Sequence, residues 1–76
     1  MIEIDGQSYT LVRGSDIDRD GMYLELLREG KRGEIAEVFY ADATGEFSIT
    51  TFENSVPLAA IEWLIEQARA SLPPVA

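Results

Sequence analysis

Asp16, Asp18 and Asp20 alternate in the stretch SDIDRDGMYLEL, and Gly21 follows them. Alternating carboxylates ahead of a glycine form the front half of an EF-hand loop, where oxygen ligands wrap a calcium ion and glycine allows a sharp turn. The back half is missing. The twelfth position, which needs a bidentate glutamate, is Leu27; Glu25 falls two places early and Glu29 two places late. A looser calcium site on Asp16, Asp18 and Asp20, completed by carbonyls and water, is one reading. The other is a tight turn, because aspartate bonds nearby amides and glycine permits positive φ. The turn is the expected reading, with no cofactor required; the alternative is a module that uses this loop to bind calcium or a small ligand weakly.

No other residues of this chain suggest catalysis. It has no histidine and no cysteine, so the commonest general base, the strongest nucleophile and any thiolate metal site are all missing. The glycines at 30 and 33 flank a hairpin tip rather than a strand-to-helix turn, so they are not a phosphate-binding loop. A carboxylate pair would need a deep cleft, and 76 residues leave little volume for one. A non-catalytic protein is expected.

The elements that must position these residues are marked by turn chemistry and by period. Asp5-Gly6 between IEI and QSYTLVR is a two-residue hairpin signal, with strands over about Ile2 to Ile4 and Gln7 to Arg13. GSDIDRDG reads as a polar loop. MYLELLRE alternates, with Met22, Leu24 and Leu26 on one side and Tyr23, Glu25 and Leu27 on the other. GKRG breaks the run, EIAEVFYA resumes it, DATG turns again, and EFSITTF is the last strand. Connections this short favour an antiparallel meander.

After Asn54 and Ser55, both good N-caps, the period changes to that of a helix over about Val56 to Ser71, with Pro57 in the first turn and Pro73 and Pro74 stopping it. Leu58, Ile61, Leu64, Ile65, Ala68 and Leu72 form one apolar stripe expected to face the sheet. Trp63 stands roughly 160° from the centre of that stripe. It packs either under the PPVA tail or a loop, or it serves an interface, where Trp is enriched.

The expected fold class is therefore α+β: one domain over residues 1–76, with a four- to five-stranded antiparallel meander sheet and one C-terminal helix on one face. One helix covers one face only. Tyr23 and Leu27 must lie on the other face, together with either the Ile35–Phe39 set or the Ala36–Val38–Tyr40 set. Several large apolar residues do not sit easily in water. A homodimer is expected, with Trp63 or the open face carrying Tyr23, Leu27 and Phe39 in its seam.

Four strands followed by a helix that starts at VPLAAIEW resemble the single-stranded-DNA-binding transcriptional coactivator domains. The likeness is one of topology, covers Tyr9 to Leu72, and rests on no specific motif. It implies dimerisation through sheet and helix. That family uses basic and aromatic residues on a curved sheet, whereas this chain has Glu25, Glu29, Glu34 and Glu37 in the matching region, so nucleic-acid binding is not carried over.

Composition points the same way. Fourteen acids against 6 bases give a formal charge of −8, which argues against phosphate-backbone binding. Arg28, Lys31 and Arg32 cluster at one turn and are expected to be solvated there. The apolar fraction, 46%, is too high for a disordered chain. MIEIDG is acidic where a secretory leader is basic, and no apolar run approaches the ~20 residues of a membrane helix. A cytoplasmic protein is expected. The favoured function is an interaction module, such as an inhibitor, an immunity or antitoxin-like protein or an adaptor, with itself and a basic protein as partners.

Overall fold

The structure, a computed structural model, describes residues 1–72. Its order is β1 (Ile2–Ile4), β2 (Gln7–Asp16), β3 (Gly21–Arg28), β4 (Ala36–Ala41), β5 (Phe47–Thr51) and α1 (Leu58–Ser71). The strands form one five-stranded antiparallel sheet in chain order. The expected α+β meander with a C-terminal helix is the observed fold. The proposed stop at Pro73-Pro74 and the PPVA tail lie outside the described residues.

Local chemistry explains most boundaries. Asp5 and Gly6 take φ of 50° and 79°, the left-handed pair a two-residue hairpin requires. The polar GSD segment is not loop, as expected from its composition, but strand. Gly14, Ser15 and Asp16 pair with Tyr23, Met22 and Gly21, and the hydrogen bonds available along apolar β3 outweigh local polarity. Only residues 17–20 turn, with Asp20 at φ 55°.

Ile35 is buried but precedes β4. Its N–H donates to the Leu26 carbonyl at 2.8 Å, and its own carbonyl accepts from Phe52 N–H at 2.9 Å, so one residue ties β3 to the end of β5. The helix begins two residues later than expected. No side chain caps it, and Ser55 lies in a turn at φ 59°.

One face of the sheet carries the core: Tyr9, Leu24, Leu26, Ala36 and Val38 against Ala60, Leu64, Ala68 and Leu72 of the helical segment. The alternation thus places the Ala36–Val38–Tyr40 set beneath the helix. The helix is rotated from the expected stripe. Ala60, Leu64 and Ala68 are buried and Trp63 packs against the core, while Leu58 is 72% and Ile65 37% exposed. Trp63 is therefore not on the far face. At about 100° per residue, centring the buried arc on Leu64 brings Trp63 to one shoulder and sends Leu58 and Ile65 toward the other. Burying an indole removes more apolar surface from water than burying either aliphatic chain, which favours this rotation.

Candidate interaction surfaces

The acidic loop is organised around one arginine. Asp16 Oδ1 accepts from the backbone N–H of Asp18 at 3.0 Å and of Arg19 at 3.2 Å, and Arg19 Nε donates to Asp16 Oδ2 at 2.6 Å. Arg19 holds the Asp16 carboxyl below its usual range, chiefly through the side-chain hydrogen bond. Asp18 and Asp20 are exposed. Among the described residues no three acidic groups converge in a geometry that could hold a metal ion. The loop is built as an aspartate-centred turn, and its first carboxylate faces an internal cation.

That arginine reaches further, onto the sheet face away from the helix. Its Nη1 and Nη2 donate to Glu37 Oε1 and Oε2 at 2.9 and 3.0 Å. The guanidinium carbon lies 4.3 Å from the centroid of the Phe39 ring. Both carboxylates raise the Arg19 pKa, Glu37 most through its hydrogen bonds. Glu37 is only 7% exposed, and this two-pronged pair satisfies both of its oxygens.

The aromatics of this face lie over glycines. A Cβ at Gly14 would overlap the Tyr23 ring, and one at Gly21 would overlap Phe39 and the Tyr40 carbonyl. Each glycine is the gap into which a neighbouring ring folds. Tyr23 and Phe39 are themselves cross-strand partners, and Leu27 shares their face. Three of the four interface candidates are thus brought together, half-buried. Trp63 is on the opposite side of the sheet, so the four do not form one seam.

Glu25 is directly opposite Glu37. Burial, then the charges of Glu34 and Glu37, push its carboxyl above the usual value. The native state therefore holds the Glu25 proton more tightly than the unfolded chain. This contribution to stability grows as pH falls through the raised value and levels off below the ordinary one, where both states are protonated. Glu25→Gln is expected to remove this dependence and to raise stability at neutral pH by about 0.5 kcal/mol, the size of a like-charge cross-strand pair. Urea denaturation of both proteins at neutral and mildly acidic pH checks it: the gap should shrink in acid.

Two of the three bases of the cluster at the β3–β4 turn share one acid. Arg28 Nη1 and Nη2 donate to Glu53 Oε1 and Oε2 at 2.7 and 3.1 Å, and Lys31 lies 3.7 Å from Glu53. Hydrogen bonds from Arg28 hold Glu53 below its usual range. Arg28 and Lys31 are thus engaged with an internal acid rather than simply solvated, and they bind the β3–β4 turn to the segment after β5, while Arg32 is exposed as expected.

The remaining surface feature is apolar. Because α1 packs chiefly across β3 and β4, the helix-side face of β5 is only partly covered. Val38, Phe47, Ser48, Ile49, Ile65, Ala68 and Arg69 line a groove of about 170 Å³ there. Ile49 is 45% exposed. Leu58 lies seven residues before Ile65, on the same flank of the helix. Reading the sequence alone missed this flank. The signal was an apolar arc that, with Ala60 and Trp63 included, is wider than one helix buries against one sheet.

Among the described residues, no helix is long and apolar enough to cross a membrane. Comparison with known proteins finds no matching protein family, no matching curated protein and no matching solved structure.

Proposed function

We propose that this chain is a small acidic, non-catalytic protein-interaction module that works in the cytoplasm as a homodimer and presents its acidic surface to a basic protein partner. The observation that supports dimerisation most is the uneven cover of the sheet. One helix spans the middle strands and leaves Ile49, Leu58 and Ile65 exposed along one flank. A clustered apolar surface on so small a body favours association.

The charge of −8 favours a cationic partner, because it speeds encounter with positive surfaces and is screened by salt. Sedimentation equilibrium tests the self-association. A mass of twice 8.4 kDa at high-micromolar concentration is the expected result. A mass of 8.4 kDa throughout would remove the homodimer from the proposal. A basic partner held by charge should be released as salt rises.

A further inference from the structure

We infer that the seam between two copies is the free edge of β5, joined antiparallel about Ile49, so that two five-stranded sheets become one. This rests on the homodimer reading and names its surface.

The two sheet edges differ in how they are protected. β1 has three residues, and Glu3 on it is exposed. β5 has five residues, FSITT, with no charge, proline or bulge. Short length, charge, proline and bulges are the usual protections against edge pairing, and β5 lacks all but modest length.

Backbone directions on β5 follow from two bonds. Ala41 N–H donates to the Glu46 carbonyl at 3.0 Å, and Phe52 N–H donates to the Ile35 carbonyl at 2.9 Å. Antiparallel pairing alternates, so residues 46, 48, 50 and 52 direct their backbone groups to β4. Phe47, Ile49 and Thr51 direct theirs to the open edge. That edge is symmetric about its middle residue. A twofold axis at Ile49 pairs Ile49 with its mate and Phe47 with Thr51 of the second copy, and every outward N–H and C=O finds a partner. A register shifted by two residues leaves some of them unpaired.

The flanking charges are compatible with this register. The flanking acids are Glu46 and Glu53. About Ile49, Glu46 falls opposite Phe52 of the second copy and Glu53 opposite Gly45, so no acid meets an acid. Arg69 lies 6.0 Å from the Phe47 ring centroid and has no ion pair among the described residues.

Area sets what else must contribute. A stable interface buries about 800 Å² per partner, roughly one-sixth of the 5030 Å² surface of one copy. The strand edge alone is too small, so Leu58 and Ile65 on the adjoining helix flank must be covered as well.

Hydrogen exchange and sedimentation together test the inference on the full chain. The Phe47, Ile49 and Thr51 amides should exchange about fivefold more slowly once total protein is about ten times its dissociation constant, where about one-fifth of the chains remain monomeric, compared with dilute protein. Ile49→Pro removes an outward N–H and leaves the β4 ladder intact, so this variant should be a folded monomer. If the wild type dimerises but those amides show no concentration dependence, or if Ile49→Pro still dimerises, the edge seam is wrong and the homodimer stands. If the wild type stays monomeric at high-micromolar concentration, both are wrong. Exchange in the wild type decides the matter even if the proline variant fails to fold.

Discussion

Gly21→Ala is expected to cost about 3 kcal/mol of folding stability, and Gly14→Ala about 1 kcal/mol, the two ends of the usual range for overfilling a packed site. Both glycines lie in strands and both accommodate an aromatic ring. They differ in what a methyl group would meet. At Gly21 it would overlap the backbone carbonyl oxygen of Tyr40 as well as the Phe39 ring. That carbonyl belongs to β4, whose backbone is held by pairing on both sides, so the clash is relieved only by moving a strand.

At Gly14 the overlap is with the outer end of the Tyr23 side chain alone, which can swing toward solvent. Urea denaturation midpoints of the two variants measure the difference. Equal losses would mean that the rings, rather than the β4 backbone, set the limit. A neutral Gly21→Ala would contradict the close approach of β3 and β4.

The second large effect concerns the rotation of α1. Leu64→Ala should destabilise by about 3 kcal/mol, because a fully buried leucine loses both its transfer energy and its packing. Trp63→Ala should cost about 2 kcal/mol, less than a fully buried aromatic, since this ring is partly buried. Leu58→Ala should stay within about 0.5 kcal/mol, as surface substitutions do. Thermal or urea unfolding of the three variants, at concentrations low enough to keep the protein monomeric, gives the ranking. If Leu58→Ala proved costlier than Trp63→Ala, the helix would face the sheet with the stripe read from its sequence, and the groove beside β5 would close.

The two series mark where local rules suffice and where they stop. Alternation in MYLELLRE placed Met22, Leu24 and Leu26 on one face and Tyr23, Glu25 and Leu27 on the other, as observed, because a pleated strand has only two sides. Asp5-Gly6 was legible because only a left-handed pair closes that hairpin. The helix was legible in existence and extent but not in rotation. A helix can turn continuously about its axis. Its apolar arc included more residues than the contact could bury, and competition for the core settled the angle in favour of Trp63.

The local support of the open face was not legible for a different reason. Tyr23 and Phe39 looked unsupported only because the glycines that receive them, Gly14 and Gly21, are distant in sequence or were read as loop. Arg19 could not be joined to Glu37, eighteen residues away, without knowing the strand register. Asp16 and Gly21 were noticed for their spacing, and what they build is a turn with a packed ring behind it. The flank of β5 and α1 was hidden in the same way, since its exposure follows from where the helix sits across the sheet.

The most direct measurement of where two copies meet is an isotope-filtered NOE experiment on an equal mixture of labelled and unlabelled protein. Contacts between copies should run from Ile49 to Ile49 and from Phe47 to Thr51, with Leu58 and Ile65 at the margin. Contacts between copies at Tyr23, Leu27 and Phe39 instead would place the seam on the opposite face of the sheet and contradict this account.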